Sequence, residues 1–255
     1  MKIALIQSDL VWENPQRNRI NFEAKINEIS TDVDLIVLPE MFSTGFTMRA
    51  SEMAETMQGE TIQWMKTIAQ SKNCAITGSL IITENNKFYN RFIFVFPSGE
   101  IQFYDKRHLF TLAGEDKIYT AGIKKQIIEY KGWKICLQVC YDLRFPVFAR
   151  NVENYDLLLY VANWPKARIQ AWDILLKARA VENLSYVAGV NRVGVDGHDY
   201  EHNGHSQVID FLGNPVLGPQ ENEGVFMVKL DKNAMLEARK KFDFLSDKDV
   251  FEIKN

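Results

Sequence analysis

The sequence predicts a layered α/β fold, and three observations lead to that prediction. Residues 2–7 and 34–39 read as short strands on either side of a helix, and this strand–helix–strand unit favours parallel pairing. Leu35 to Leu38 form a continuous apolar run, as expected for a strand that is covered on both faces. Helices and apolar strands alternate through much of the chain. Because no Pro-, Gly- or Ser-rich linker divides it, we predict a single domain over residues 1–255.

The individual elements follow from apolar periodicity and turn residues. Asn14-Pro15 is typical of a helix start, and Phe22, Ile26 and Ile29 follow at helical spacing. The segment 111–125, with two glycines, is predicted to be an exposed loop. Further strands are predicted at 74–82, 88–96, 101–105, 134–139, 156–162, 186–191, 207–210 and 224–230. Further helices are predicted at 60–71, 145–154, 168–183 and from 231 onwards.

Composition argues against several classes of function. Of the 255 residues, 46% are hydrophobic and 25% are charged, which is the mix of an ordinary globular protein. The net charge of −3 and the lack of a long basic run argue against a nucleic-acid partner. No apolar run approaches the ~20 residues that span a bilayer, and the N-terminus lacks a signal-peptide pattern. Cysteines stand at 74, 136 and 140 without framework spacing, which indicates a reducing compartment. We therefore predict a cytoplasmic protein without a membrane partner.

Three polar side chains follow predicted strands, namely Glu40, Lys106 and Cys140. A thiol is mostly protonated near neutral pH, so a nucleophilic cysteine needs a base or a cationic neighbour. A buried carboxylate can be that base, and a lysine can stabilise the oxyanion that forms when the thiolate attacks. Structural roles remain open from spacing alone, because Glu40 can cap a helix, Lys106 can be a surface charge and Cys140 can be core.

The sequences of these motifs resemble those of the nitrilase superfamily of carbon–nitrogen hydrolases. The motifs are Leu-Pro-Glu40, Tyr-Asp-Lys106-Arg-His-Leu-Phe and Val-Cys140-Tyr-Asp-Leu-Arg-Phe-Pro, supported by Ala162-Asn-Trp-Pro165. Cys-Tyr-Asp-Leu-Arg-Phe-Pro with Tyr-Val-Ala-Asn-Trp-Pro is similar to the omega-amidase branch. The resemblance extends from the first strand to about residue 230, which implies a catalytic core over 1–230 and a tail over 231–255. It also implies a four-layer α-β-β-α sandwich and assembly into homodimers or larger homo-oligomers.

The resemblance implies roles for individual residues, and it implies no cofactor. Glu40 is expected to be the general base, Lys106 the stabiliser of the oxyanion, and Cys140 the nucleophile. Glu115 matches a second glutamate of many family members, with Asp116 as its rival. The backbone N–H of Tyr141 is expected to share the oxyanion with Lys106.

For the substrate, the resemblance implies the terminal amide of small 2-oxo dicarboxylate monoamides, such as 2-oxoglutaramate or 2-oxosuccinamate. Trp164 and Phe46 are candidates for the pocket wall, although aromatic residues at this density are usually core. The sequence does not choose among Arg49, Arg107 and Arg168 as partner of the substrate carboxylate. Hydrolysis of a nitrile or an N-carbamoyl compound by the same residues is the alternative within the family. A non-catalytic small-molecule binding protein is the alternative from another class.

The histidines offer a competing prediction. His108 lies two residues beyond Lys106 and is a candidate for a Cys–His dyad, but the family resemblance assigns the base to Glu40. His198, His202 and His205 have spacings that suggest a metal site. The Gly-, Asp- and Asn-rich sequence around them favours a solvated loop instead, so we predict no metal.

Five further residues are given structural interpretations. Asp142 and Arg144 are predicted to pair and hold the turn after the nucleophile, or to shape the pocket. Arg179 and Glu182, three residues apart on a helix, are predicted to form a surface pair. Cys136 is predicted to be packing.

Overall fold

The computed structural model describes residues 1–29 and 32–254 and contains two mixed six-stranded sheets. The last residue of the predicted tail, Asn255, lies outside the described residues. The strands are β1 (Lys2–Gln7), β2 (Leu35–Val37), β3 (Ala75–Glu84), β4 (Lys87–Val95), β5 (Ile101–Asp105), β6 (Ile127–Tyr130), β7 (Trp133–Val139), β8 (Leu157–Val161), β9 (Tyr186–Val190), β10 (Val193–Val195), β11 (Glu201–Asn203), β12 (Ser206–Ile209), β13 (Pro215–Gln220) and β14 (Gly224–Lys229). The helices are α1 (Pro15–Asn27), α2 (Ala50–Met53), α3 (Glu60–Lys72), α4 (Glu115–Ile118), α5 (Pro146–Ala149), α6 (Ile169–Asn183) and α7 (Lys232–Phe242).

Each sheet has three parallel strands at its centre and antiparallel strands outside them. The first sheet has the order β14-β1-β2-β3-β4-β5, in which β1, β2 and β3 are parallel. The second sheet has the order β13-β12-β9-β8-β7-β6, in which β7, β8 and β9 are parallel. The predicted parallel pairing of the first βαβ unit is confirmed, since Leu5 lies opposite Val37 across β1 and β2.

The two sheets lie face to face, and buried apolar side chains form three layers. One layer lies between the sheets, and one covers the outer face of each sheet. Between the sheets, residues such as Leu5 and Phe94 of the first pack with Leu137 and Leu159 of the second. The outer face of the first sheet is covered by α1 and α3, and that of the second by α6. Because every central strand is buried on both faces, its apolar run is continuous. The α-β-β-α sandwich expected from the motifs is confirmed.

The helix predicted over 145–154 is wrong in length, because α5 ends at Ala149. The backbone N–H of Asn151 donates to Oδ1 of Asn183 at 2.8 Å. The Asn151 amide nitrogen donates to the carbonyl oxygens of Tyr155 and Asn183. Side-chain amides of this kind offer the backbone partners that compete with a helix.

The segment predicted as an exposed loop at 111–125 is also more ordered and more buried than expected. It contains a 3₁₀ turn at Thr111–Ala113 and the short helix α4. Glu115 at the start of α4 has no exposed surface, because its carboxylate pairs with a lysine in the interior. Within the residues that the structure describes, no helix is long and apolar enough to cross a membrane.

Candidate functional site

The carboxyl ends of strands from both sheets meet at one edge of the sandwich, and the predicted site residues lie there. Glu40 follows β2, Lys106 follows β5 and Cys140 follows β7. All three line the same pocket. Parallel strands present their carboxyl ends at one edge, where ligands bind in open α/β sheets. The three residues that the family resemblance assigned to one site therefore lie together in the structure.

Lys106 lies between two buried carboxylates at the floor of this pocket. Its Nζ atom is 3.0 Å from Oε1 of Glu40 and 2.9 Å from Oε2 of Glu115. Glu40 and Glu115 have no exposed surface, and Lys106 is only 1% exposed. Asp116, the rival of Glu115, is exposed on the outer side of α4. The structure thus brings Glu115, and not Asp116, to Lys106.

Charge and burial set the protonation of this cluster. Burial alone lowers the pKa of Lys106, but the charges of Glu115 and Glu40 raise it above its ordinary value. Lys106 is therefore an ammonium ion. Burial raises the pKa of Glu115, and the nearby charge of Glu40 raises it further, against the opposing effect of Lys106. When both carboxylates are ionised, the single cation leaves the cluster with a net negative charge. That charge raises the free energy of a thiolate nearby, so it favours the protonated form of the Cys140 thiol.

Two asparagines that sequence reasoning missed hold the carboxylates in place. The amide nitrogen of Asn90, on β4, donates to Oε1 of Glu40 at 2.8 Å and to Oε1 of Glu115 at 3.3 Å. Asn163, after β8, donates its backbone N–H to Oε2 of Glu40 at 2.8 Å and its amide nitrogen to the Glu40 carbonyl at 2.6 Å. The available signal for Asn90 was an asparagine within an apolar strand, a position where this residue is uncommon.

Cys140 has an unusual backbone conformation, with φ of +44° at the start of a 3₁₀ turn over Cys140–Arg144. A non-glycine residue in the left-handed region is strained, and such strain often occurs at active sites. Burial raises the pKa of the Cys140 thiol well above its usual range, and the charge of Glu40 and a hydrogen bond with it act in the same direction. The thiol of Cys140 is therefore protonated, and it lies beside the carboxylate of Glu40.

The turn after Cys140 is held by other partners than predicted. Asp142 does not pair with Arg144. Its carboxylate accepts hydrogen bonds from the backbone N–H of Val139 and from His108, whose ring also stacks on Phe145 at a centroid distance of 3.9 Å. Asp142 is completely buried, whereas Arg144 is exposed and lines the pocket. The reason is that the 3₁₀ turn directs these two side chains in different directions.

Arg179 is a second correction, because it is 3% exposed and not on the surface. It does pair with Glu182, at 3.0 Å, as predicted. Its other guanidinium nitrogen donates to the carbonyl oxygen of Leu143 at 2.6 Å. This bond pulls the side chain inwards and fixes the far end of the Cys140 turn. Cys136 is buried in the core under α6, as predicted.

The pocket has a volume of about 310 Å³, and its wall carries aromatic rings and two arginines in addition to Lys106. Phe46, Tyr141 and Trp164 line it. The guanidinium of Arg144 lies 5.1 Å from the centroid of the Trp164 ring. That of Arg168 lies 5.3 Å from the centroid of the Phe110 ring.

Of the three arginines considered from sequence, only Arg168 lies in the pocket wall of the described structure, and Arg144 joins it. Arg49 forms ion pairs with Glu13 and Glu52. Arg107 packs over the Phe148 ring and donates to the carbonyl oxygen of Ile123.

The three histidines predicted to lie in a solvated loop instead belong to a structured segment built on the β10–β11 hairpin. His198 packs against the ring of Trp12, and His205 pairs with Asp173 at 2.9 Å. His202 is 6% exposed, and burial lowers its pKa to about 4. The prediction of solvation is wrong for His202, because the hairpin packs that ring against the pocket. His198 and His202 line the pocket as well.

Comparisons with known proteins agree with this architecture. The family model for carbon-nitrogen hydrolase matches residues 2–240. Omega-amidase YafV of Escherichia coli (strain K12) is 43% identical over 254 residues, which cover 99% of this chain and 98% of that protein. The 2-oxoglutaramate amidase of Bacillus subtilis (strain 168) is 31% identical over 256 residues, which cover 98% of each chain.

The solved structure of XC1258 from Xanthomonas campestris, a CN-hydrolase superfamily protein, superimposes with a TM-score of 0.97. Its sequence is 44% identical, and the match covers 100% of this chain and 99% of that one. The resemblance to the omega-amidase branch is therefore confirmed. The chain belongs to the carbon–nitrogen hydrolase family, within the nitrilase superfamily, and is an amidohydrolase.

Proposed function

We propose that the chain is a thiol amidohydrolase that releases ammonia from the terminal amide of small 2-oxo dicarboxylate monoamides, such as 2-oxoglutaramate and 2-oxosuccinamate. The observation that carries the proposal is the pocket in which Cys140 meets the buried ion cluster of Glu40, Lys106 and Glu115. The similarity to an omega-amidase and to a 2-oxoglutaramate amidase supports the choice of substrate.

The proposed reaction is acyl transfer through a thioester on Cys140. Glu40 takes the thiol proton while the sulfur attacks the amide carbon. The ammonium of Lys106 and the backbone N–H of Tyr141 donate hydrogen bonds to the oxyanion that develops. Glu40 then gives its proton to the departing nitrogen, which leaves as ammonia. In the second half, Glu40 removes a proton from water, the hydroxide attacks the thioester, and the proton returns to the Cys140 sulfur.

Glu115 has a supporting role in this scheme. Its two carboxylate oxygens accept hydrogen bonds from Lys106 at 3.0 and 2.9 Å, and Oε2 also accepts from the backbone N–H of Phe110 at 2.6 Å. These bonds fix the ammonium group while Glu40 changes its protonation. A second carboxylate also keeps Lys106 charged during the part of the cycle in which Glu40 carries a proton.

The pocket wall suits a short substrate with a carboxylate at the end opposite the amide. Arg144 and Arg168 are cations in this wall, and a guanidinium binds a carboxylate through two parallel hydrogen bonds. Their stacking on Trp164 and Phe110 limits the rotamers of both side chains. We therefore propose that they hold the substrate carboxylate and place the terminal amide at Cys140.

The test is ammonia release across a panel of 2-oxo acid amides, simple amides, nitriles and N-carbamoyl compounds. We expect the highest kcat/KM for the 2-oxo dicarboxylate monoamides, together with an acyl adduct on Cys140 that mass spectrometry detects after rapid acid quench. A preference for nitriles or N-carbamoyl compounds overturns the substrate assignment. If no compound of the panel releases ammonia, a non-catalytic binding protein is favoured. An active Cys140→Ala variant overturns the mechanism.

We also propose assembly into a homodimer or larger homo-oligomer and a cytoplasmic location. Ile174 and Val181 are 67% and 48% exposed on α6, and an exposed apolar helix face of this kind favours association. Light scattering during size-exclusion chromatography tests the assembly, because a monomer at micromolar concentration contradicts it. Fractionation of the source cells tests the location.

A further inference from the structure

Asp142 carries a completely buried carboxylate that receives four hydrogen bonds. Oδ2 accepts from the backbone N–H of Val139 at 2.9 Å and from the hydroxyl of Tyr104 at 2.8 Å. Oδ1 lies 3.0 Å from the backbone nitrogen of His108 and 2.7 Å from its ring Nδ1. A buried ionised group is stable only when its oxygens are satisfied in this way.

These donors come from both sheets and from the two segments that carry the proposed catalytic groups. Val139 is the last residue of β7 and directly precedes Cys140. Tyr104 belongs to β5, and His108 lies two residues after Lys106. The Tyr104 hydroxyl also accepts from the backbone N–H of Arg107 at 3.0 Å. One carboxylate therefore joins the turn that holds the thiol to the loop that holds the ammonium group.

The neighbouring contacts make this joint rigid. Burial and the adjacent charge of Asp142 raise the pKa of Tyr104 well above its usual range, so its hydroxyl stays a donor. The His108 ring stacks on Phe145 with an angle of 4° between the planes. The left-handed backbone at Cys140 needs such external support, because a non-glycine residue does not hold that conformation unaided.

We propose that Asp142 is a positioning residue that sets the distance and direction between Cys140 and Lys106. The inference rests on the catalytic roles proposed above for those two residues. Asp142 itself acts through the Val139–Cys140 backbone and the Lys106–His108 loop. A shift of about 1 Å between reacting groups costs about 100-fold in rate, so a loss of this joint lowers turnover much more than substrate affinity.

The experiment compares Asp142→Asn with Asp156→Asn as a matched control. An asparagine at 142 turns an NH₂ group towards donors, so at least one backbone N–H loses its acceptor. Asp156 is a second buried carboxylate, 3% exposed, that accepts from the Lys134 backbone and from Lys232 at the opposite end of β8. Loss of the Asp156 carboxylate therefore destabilises the fold at a place distant from Cys140.

For Asp142→Asn we expect kcat on 2-oxoglutaramate to fall about 100-fold with KM changed by less than about threefold. We expect Asp156→Asn to lower the melting temperature about as much as Asp142→Asn does. Its kcat should stay near the wild-type value. Equal kcat in the two variants, normalised to folded protein, overturns the inference.

If Asp142→Asn does not fold, Tyr104→Phe replaces it, because it removes one donor and keeps the ring in the core. Tyr130→Phe is its control in the same core cluster. A lower kcat in Tyr104→Phe than in Tyr130→Phe, at unchanged KM, supports the inference, and equal kcat overturns it. Cys140→Ala separates the two proposals, because activity in that variant contradicts the proposed function itself. An inactive Cys140→Ala with a fully active Asp142→Asn contradicts the positioning role alone.

Discussion

The ammonium nitrogen of Lys106 lies 3.0 Å from Oε1 of Glu40, and neither side chain has more than 1% of its surface exposed. Glu115 pairs with the same ammonium group at 2.9 Å. Removal of Lys106 therefore leaves two buried carboxylates without a compensating charge, whereas removal of the Glu40 charge leaves Lys106 paired with Glu115.

Replacement of Lys106 by Met is expected to destabilise the protein by about 3–5 kcal/mol at neutral pH. Burial already raises the pKa of Glu115 in the folded state, and without the opposing effect of Lys106 that pKa rises further. A raised carboxyl pKa gives stability that is present below the unfolded value near 4.5 and is lost as the pH rises through the folded value. Thermal melting between pH 5 and pH 8 should thus show the largest loss at pH 8. The control is Lys125→Met, because it removes an ion pair with Glu153 that is partly exposed to solvent.

Replacement of Glu40 by Gln is expected to lower kcat by about 10³-fold, because general base catalysis contributes 10²- to 10⁴-fold and glutamine accepts no proton. The fold should survive, since the amide oxygen can still accept from Lys106 or Asn163. Ammonia release and circular dichroism measure the two effects. Glu55→Gln is the control, because that carboxylate caps α3 through the backbone N–H of Thr61. A kcat within tenfold of wild type contradicts the role of Glu40.

Alkylation of Cys140 by iodoacetamide is expected to accelerate with pH. Burial and the charge of Glu40 raise the pKa of the thiol, so the thiolate fraction increases about tenfold per pH unit between pH 6 and pH 9. Lys106 opposes this rise, and Lys106→Met should react more slowly at every pH in that range. Mass spectrometry with Cys140→Ser as the background measures the rate. A constant rate from pH 6 to pH 9 indicates a thiolate and contradicts the expectation.

Replacement of Arg168 or Arg144 by Met is expected to raise KM for 2-oxoglutaramate by about 10-fold or more, because a charge-assisted hydrogen bond contributes about 1.5–3 kcal/mol. KM for an uncharged amide should change little, so the ratio of the two KM values is the measurement. Arg49→Met is the control, since its partners are Glu13 and Glu52. Equal effects on charged and uncharged amides contradict carboxylate binding by these arginines.

The strand ends and the family resemblance together predicted which residues meet at the site, but not which residues surround them. Glu40, Lys106 and Cys140 follow buried strands, and strand polarity gathers such ends at one edge. The place of Asn90 beside Glu40 depends on the register of β4 against β3 and β5, which pairs Asn90 with Ile81 and Arg91 with Asp105. Register across a sheet is a tertiary property that a single strand does not encode.

Arg179 illustrates the same limit on a helix. Its spacing from Glu182 is typical of a surface pair, and the pair does form. Its burial follows from the hydrogen bond to Leu143, whose carbonyl becomes available only because the chain makes a 3₁₀ turn after Cys140. The early end of α5 has a similar cause. Asn151 forms hydrogen bonds with Asn183, which is distant in the sequence, in place of helical ones.

The pairing of β1 with β14 joins strands from nearly opposite ends of the sequence, with Lys2 opposite Lys229 and Gln7 opposite Gly224. During synthesis, the outer edge of β1 has no partner until residues 224–229 have left the ribosome, and an open strand edge is a template for aggregation. Closing so long a stretch of chain is slow, because contact order limits the folding rate. The nascent enzyme therefore depends on its last strand to protect its first.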